Sequence, residues 1–552
     1  MNIREIFLSI FFRGFICLIL MLITDITFAQ SIEVLKQKEI QRPQRLREKF
    51  GFGVEYLIPA PKNLDKIIGQ YSELGVTWSK FNGPDTTWND VEPKPPLGGR
   101  HIYSWKKVDD MVLTAQRAGF KNLIVVLKSN SKWGAKKRKS SGLLENLSAW
   151  RGMVSTPPKD EQNLKHYQDY VFNFVERYDG DGKDDMPGLL YPVLDYEIET
   201  EAQHQTYWLG TADEYITVLK TAYAGVKKAN SKARVILSGF AFWDIFDEGP
   251  KTGEEIDTSI NAMPLRYPKR DIRHGFGEKF RGHLDFNAQI LQAKDYFDLV
   301  EFHLLSYYTS IPGTVKWIRE EMHKNGYEKP VWMGDAGAII LPCTDKKGFW
   351  APWSTWTLFS DAPYKNGDEL FDVLASKKDK YGLTYRKVKE WFEAEQANIL
   401  VKSAVMAMAE GVEGMNWWTW KDERALLKAN GPGKSWALCG LIENDNQTKR
   451  PAFYAYKLLI HKLGGFSLVE KLNIRPDIRA YRFTVREKFV YVIWLESGNP
   501  SLPNKSGEGV LFDISSIVGN QNVKVAPEGP YLEEMLPANT VLLTGKPIFI
   551  GG

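Results

Sequence analysis

Leu123-Ile124-Val125-Val126-Leu127 is apolar at every position. A strand of this kind has both faces buried, and such strands belong to parallel sheets covered by helices. The surrounding chain agrees. Strand-type runs are read at residues 50–55, 76–81, 123–127, 194–200, 234–238, 299–304, 331–333 and 415–420. Amphipathic helical runs at 64–74, 108–118, 163–177, 211–229, 312–324 and 396–409 fall between them. Gly75, Gly119 and Gly411 stand where helix C-caps are expected, Thr211-Ala212-Asp213-Glu214 is an N-cap signal, and Pro312 suits a first helical turn. Eight strands with crossover helices predict an α/β fold, a (β/α)8 TIM barrel.

After about residue 465 the texture changes. Residues 481–485 alternate, 489–494 form a nearly continuous apolar strand, and short strands are read at 510–512, 523–525, 541–543 and 548–550. No helix signal intervenes, which predicts a small C-terminal antiparallel β-domain that packs on the barrel. The expected organisation is a signal peptide at 1–29, a barrel domain at 30–464 and a β-sandwich-like domain at 465–552. The leader reading rests on Arg4 and Arg13, the nine-residue apolar run 15–23, and the small-residue site Thr27-Phe28-Ala29. Nine apolar residues fall short of the ~20 that span a bilayer. The mature chain is therefore expected to lack a transmembrane segment and to be secreted or extracytoplasmic.

The 72 basic and 68 acidic residues leave a net charge of +4, which argues against a nucleic-acid partner. The basic run Lys136-Lys137-Arg138-Lys139 reads as a solvated loop. The eight His residues lack metal-ligand spacing, no complete Gly-rich phosphate loop is present, and G-x-S-x-G does not occur. Neither a metal nor another cofactor is expected. Cys343 and Cys439 follow strands 7 and 8 and are expected to pair in an oxidising compartment.

Chemistry in a TIM barrel sits at the C-terminal strand ends. Reading those ends in order gives Trp88-Asn89-Asp90-Val91-Glu92-Pro93 after strand 2, Thr200-Glu201 after strand 4, and His303 with Tyr307 at strand 6. Asp335 follows strand 7, the loop with Trp350, Trp353 and Trp356 comes next, and Trp417 and Trp418 lie on strand 8. Carboxylates do proton work and aromatic faces stack on sugar rings, so this set points to a carbohydrate partner. Trp417 and Trp418 face opposite ways, so one lines the site and the other packs. Glu197 and Glu199 are expected to be ion-paired inside the barrel.

Four motifs carry a family resemblance over residues 50–460. These are Tyr196-Glu197-Ile198-Glu199-Thr200-Glu201, Phe297-Asp298-Leu299-Val300-Glu301-Phe302-His303, Lys329-Pro330-Val331-Trp332-Met333-Gly334-Asp335-Ala336-Gly337, and Gly440-Leu441 with Arg450-Pro451-Ala452-Phe453-Tyr454-Ala455-Tyr456. The chain resembles the clan of retaining (β/α)8 glycoside hydrolases, cellulase- and xylosidase-like. The resemblance implies a secreted enzyme cleaving O-glycosidic bonds in a poly- or oligosaccharide, with Glu201 as acid/base and Asp335 as nucleophile. Read at the same strand ends and on the aromatic loop, Trp88, Thr200, His303, Tyr307, Trp350, Trp353, Trp417 and Trp418 are the expected sugar contacts. Thr200 stands where the clan has Asn, and Asp335 where it has Glu. The shorter Asp is expected to widen the carboxylate gap by about one C–C bond, ~1.5 Å, unless the backbone moves in. The alternative is a non-catalytic carbohydrate-binding protein on a degenerate barrel. A surface or matrix assembly role rests only on the extracytoplasmic location and the β-domain.

Overall fold

The structure is a computed structural model. It describes residues 50–55, 64–139, 154–241, 245–246, 249–266, 276–304, 308–338, 374, 382–422, 437–445, 447–496, 509–518, 522–526 and 534–551. Eight parallel strands close into a barrel in chain order. They are β1 (Gly51–Val54), β2 (Trp78–Phe81), β3 (Asn122–Leu127), β4 (Asp195–Ile198), β5 (Arg234–Ala241), β6 (Leu299–Leu304), β7 (Val331–Ala336) and β8 (Gly414–Trp417). Outside them lie α1 (Leu64–Leu74), the short α2 (Trp88–Val91), α3 (Lys106–Arg117), α4 (Glu161–Tyr178) and α5 (Ala212–Ala229). After β5 come α6 (Gly253–Arg266) and α7 (Phe276–Leu291), then α8 (Ile311–Lys324), α9 (Leu383–Ala409) and α10 (Pro451–Leu463). The α6 and α7 pair was not legible in the residue pattern.

Thr211 caps α5 with a full capping box to Glu214. Lys136 and Arg138 of the basic run both reach that same Glu214, at 2.8 and 2.6 Å. Lys137, Arg138 and Lys139 remain exposed, so the run is a solvated loop anchored at one carboxylate. No helix among the described residues is long and apolar enough to cross a membrane.

Side-chain parity on the strands sorts the barrel into layers. Ile124, Ile236, Leu299 and Trp332, with Trp78 against them, fill the N-terminal end of the lumen. Gly51 and Gly414 make room for Trp332: a Cβ at either would lie 2.3 or 2.0 Å from its ring. Outward residues such as Leu123, Val125, Leu127, Tyr196 and Ile198 join the large core beneath the helices.

β7 carries one residue more than its neighbours. Phe302 pairs with Met333 but His303 pairs with Asp335, and Met333 and Ala336 pair with Met415 and Trp417. This bulge at Gly334 resets the alternation, so Asp335 joins the inward set although regular parity would turn it out. Asp335 therefore lies within β7, not beyond a strand ending at residue 333.

The C-terminal unit is an antiparallel sheet in the order β14-β13-β16-β11-β10-β9. Its strands are β9 (Phe466–Arg475), β10 (Ile478–Val485), β11 (Lys488–Leu495), β13 (Asn522–Ala526), β14 (Glu534–Pro537) and β16 (Ile548–Gly551). β12 (Val510–Phe512) pairs with β15 (Val541–Leu543), and a helical turn at Ser515–Val518, absent from the residue reading, precedes β13. One face packs on the barrel: Trp494 meets Tyr308 edge-on at 6.3 Å, and Phe483, Val492 and Phe549 join the barrel's core.

A methyl group at Gly334 would lie 1.8 Å from Glu301 Oε1, a fully buried atom. Gly334→Ala is expected to destabilise the protein by about 3 kcal/mol, because it overpacks the lumen and displaces a paired charge. Urea unfolding measures this. A loss below ~0.5 kcal/mol would mean that the lumen at β7 is looser than described.

Candidate active site

Above the apolar layer the lumen turns ionic. Lys80 of β2, Glu197 of β4 and Glu301 of β6 point inward and have no exposed side-chain surface. The Lys80 ammonium lies 2.9 Å from Glu197 Oε2, pairs with Glu301, and stands 3.5 Å from Asp335 Oδ1. Glu197 also accepts a bond from the Gly239 amide at 2.9 Å. A carboxylate buried in this way is costly unless paired, and one lysine serves three of them.

His303 connects this layer to the surface. Its Nε2 lies 3.1 Å from Glu301 Oε1 and 3.3 Å from the Lys80 ammonium. Its Nδ1 lies 2.8 Å from Glu201 Oε1 and 3.5 Å from Asp335 Oδ2. Gly239 provides the space, since a Cβ there would sit 2.1 Å from His303 Nε2. One carboxylate oxygen each from Glu201 and Asp335, and a ring nitrogen of His303, lie within 4.8 Å of one another. The shorter Asp335 side chain is thus brought close to Glu201 by its backbone position. Solvent reach separates the members: Glu201 and Asp335 side chains are 14% and 12% exposed, against 0–1% for Lys80, Glu197, Glu301 and His303. Of these six, only the two outer carboxylates can meet a ligand from outside.

β4 ends at Ile198, two residues before the expected stop. Glu199 and Glu201 then take positive φ of 60° and 42°. Few non-glycine residues adopt this region, and it concentrates at functional loops. Glu199 is held by the Ser129 amide at 2.7 Å, which fixes the turn that presents Glu201.

Charge settles unevenly. Burial pushes the Asp335 carboxyl up, but the His303 and Lys80 cations outweigh it and hold the group below its ordinary range. Burial opposes the His303 cation, yet Asp335, Glu201 and Glu301 raise it to about 10. Burial, reinforced by Glu301 and opposed by Lys80, lifts Glu197 to about 7. Burial lowers Lys128, which follows β3, to about 8 against the pull of Glu199. Tyr207, 5.4 Å from the Lys128 ammonium at its ring centre, feels Glu201 and Asp335 as well as burial, which together raise its hydroxyl.

The residues expected to contact sugar fare differently. Trp88 is fully buried, its indole donating to Glu92 Oε2 at 2.9 Å and packing edge-on against Trp133. It is a core residue, which corrects the expectation of a sugar contact. Trp417 is likewise fully buried, in the core beneath the helices. Trp418 is 7% exposed, and its amide bonds to Ala336 O at 2.7 Å, beside Asp335. Thr200 is buried next to Glu201. Tyr307, Trp350, Trp353, Trp356 and Cys343 lie outside the described residues. The expected disulfide falls there with Cys343; Cys439 is buried, its Sγ 3.6 Å from Ala338 O.

Lys80, Glu301, Lys128 and Tyr207 were missed as site residues. Parity carried a signal for two of them. Lys80 follows the inward Trp78 by two positions, and Glu301 precedes His303 by two.

The raised His303 has a consequence for stability. The folded protein keeps a proton there that the unfolded chain releases near 6.5, so its contribution is full below that pH and is lost as pH climbs towards about 10. Glu197 adds a fall in stability with rising pH that ends near 7, and Lys128 adds an opposing rise that begins near 8. Between pH 7 and 8 the unfolding free energy should fall with pH, with a slope of at most ~1.4 kcal/mol per unit from this site. Urea titrations of wild type and His303→Gln check this; equal slopes in the two proteins would contradict a buried His303 cation.

No protein-family model matches the chain, and no curated protein matches it in sequence. Solved structures do match in fold. A family 39 glycoside hydrolase from the gut symbiont Bacteroides cellulosilyticus aligns with a TM-score of 0.51 at 14% identity, covering 91% of this chain and 81% of that one. A monomeric β-xylosidase from Caulobacter crescentus aligns at 0.51 and 13%, covering 93% and 97%. The family 39 enzyme of Xanthomonas axonopodis aligns at 0.50 and 13%, covering 92% and 94%. At these identities the likeness is one of fold: the closed eight-stranded barrel with its C-terminal β-unit is the architecture of these glycoside hydrolases.

Proposed function

We propose that this chain is a glycoside hydrolase that cleaves O-glycosidic bonds of a poly- or oligosaccharide with retention of configuration. The observation that carries the reading is the Glu201–Asp335 pair. One oxygen of each carboxylate, from the ends of β4 and β7, lies within 4.8 Å of the other, and both groups reach solvent while the charges behind them do not. Retaining enzymes hold their carboxyls ~5–5.5 Å apart, and inverting ones need ~6.5–9.5 Å for a water. An approach of the nearest oxygens within 4.8 Å supports the shorter of these regimes.

In the first step Asp335, kept anionic by His303 and Lys80, attacks the anomeric carbon. Glu201 gives its proton to the departing glycosidic oxygen as that bond breaks. In the second step Glu201, now a carboxylate, takes a proton from water. The hydroxide so formed displaces Asp335 and regenerates both groups. His303 touches both carboxylates and orients them. The barrel's outer carboxylates and Trp418 beside them form the expected contact surface. The apolar run at 15–23 and the site at 27–29 support export from the cytoplasm.

A second reading has its own support. Both Asp335 oxygens face cations, Oδ1 towards Lys80 and Oδ2 towards His303 at 3.5 Å each, which weakens the group as a nucleophile. On that reading the protein binds glycan without cleaving it.

A panel of aryl glycosides and oligosaccharides, β-xylosides included, separates the two. Glu201→Gln should lower kcat at least ~100-fold on unactivated substrates. Asp335→Glu should also lose activity, because an added methylene drives the carboxylate into His303 and Glu201. Proton NMR should find the first-formed product with the anomeric configuration of the substrate. Inversion would make Asp335 a base for water. Glycan binding that Glu201→Gln leaves intact, with no product from wild type, would establish the binding reading.

A further inference from the structure

The segment after β2 supplies a second cluster, at the barrel rim rather than in the lumen. Glu92, just past α2, accepts from the Trp88 indole, and its other oxygen lies 2.6 Å from His101 Nδ1. Glu92 is thus clamped, and it fixes the ring of His101. That leaves His101 Nε2 pointing at Asp169 Oδ2, at 3.5 Å. His166 stands one turn before Asp169 on α4, so both project from the same helix face. Its ring centre is 5.2 Å from that of His101.

Each histidine has one nitrogen engaged by a neighbouring side chain. On His101 the engaged atom is Nδ1, held by Glu92. On His166 it is Nε2, 3.2 Å from the Gln162 amide, while the buried Nδ1 has no hydrogen-bond partner. A half-turn of that amide places its carbonyl to accept from Nε2–H, and the Nδ1 lone pair is then available. A ring held from behind, with its other nitrogen free, is how histidines are presented to metals.

The spacing points the same way. At 3.5 Å, His101 Nε2 and Asp169 Oδ2 are too far apart for a good hydrogen bond, which closes to ~2.7–3.2 Å. They match the ~3.4 Å edge of a tetrahedron whose metal–ligand bonds are ~2.1 Å. Single ligand atoms from His101, His166 and Asp169 all fall within 4.8 Å of one another. The histidines are partly exposed and Asp169 is exposed, so an ion can enter and water can complete the shell.

We infer that His101, His166 and Asp169 form a binding site for a zinc-like divalent transition metal, with Glu92 and Gln162 orienting the two imidazoles. Two imidazoles and one carboxylate suit such an ion rather than calcium or magnesium, which take oxygen ligands. The site pins the loop between α2 and α3 to the second and third turns of α4. Its role is independent of hydrolysis in the lumen, and its test does not read activity.

Untagged protein stripped with a chelator is titrated with zinc alone and with cobalt(II) alone. Calorimetry, thermal unfolding and the cobalt visible spectrum are read. One ion per chain should bind, Tm should rise with metal, and cobalt should give the ligand-field absorption of a low-coordinate site. Affinity should drop at least 100-fold in His166→Ala and Asp169→Asn, both changes on the helix surface. It should drop about 10–100-fold in Glu92→Gln, as for partners that orient metal-bound histidines. Asp335→Ala should bind as wild type does. No saturable binding would overturn the site and leave His101 as an ion-pair bridge between Glu92 and Asp169. Binding indifferent to His166→Ala and Asp169→Asn, or abolished by Asp335→Ala, would overturn it equally.

Discussion

The Lys80 ammonium is the interaction on which the barrel interior depends. It sits without solvent contact among Glu197, Glu301 and Asp335, and its charge is held far above the ordinary lysine range by those carboxylates despite its burial. Removing one partner of such a group strands the others, at about 3–5 kcal/mol. Trp332 and its apolar layer close the lumen below, and His303 carries the ion network upward. Glycines at 239 and 334 exist to admit the His303 and Glu301 side chains. Small residues on the strands and large charged ones in the lumen are two halves of one arrangement.

The barrel was readable because parallel-sheet strands announce themselves by burial. Leu123 to Leu127 could be little else, and helix stops such as Gly75 and Gly119 divided the chain between strands. Glu201 and Asp335 were readable by position, as acidic residues following apolar runs. What escaped was geometry that parity conceals. A single extra residue at Gly334 reverses the face of everything after it, and no residue pattern distinguishes this from an ordinary strand ending early. Trp88 misled for a related reason. An indole past a strand exit looks like a sugar contact, and its full burial with a hydrogen bond to Glu92 reveals a packing role. Lys80 and Glu301 were visible by alternation, but a lone charge in an apolar strand carries no partner's name with it.

The C-terminal sheet shares its core with the barrel instead of standing apart. Trp494 of β11 meets Tyr308, which lies just beyond β6, and the Tyr308 hydroxyl bonds to Glu496. Lys402 of α9 approaches the Tyr308 ring at 4.9 Å. This contact holds Tyr308 from outside, while His303 of β6 faces the lumen. The sheet therefore contributes to the rigidity that a site built on strand ends requires.

The position of His303 has a bearing on the bookkeeping of charge during turnover. Its Nδ1 lies 2.8 Å from a Glu201 oxygen and 3.5 Å from an Asp335 oxygen, so one ring nitrogen serves both outer carboxylates. In the cycle proposed above, Asp335 would lose its charge on forming the glycosyl ester, and Glu201 would become a carboxylate in the same step, 2.8 Å from that nitrogen. Negative charge would then pass from one side of the imidazolium to the other, and the sum felt by the buried Lys80 cluster would scarcely change. A barrel whose interior is held together by ions could in this way carry the proposed cycle at its mouth without its foundations registering the event.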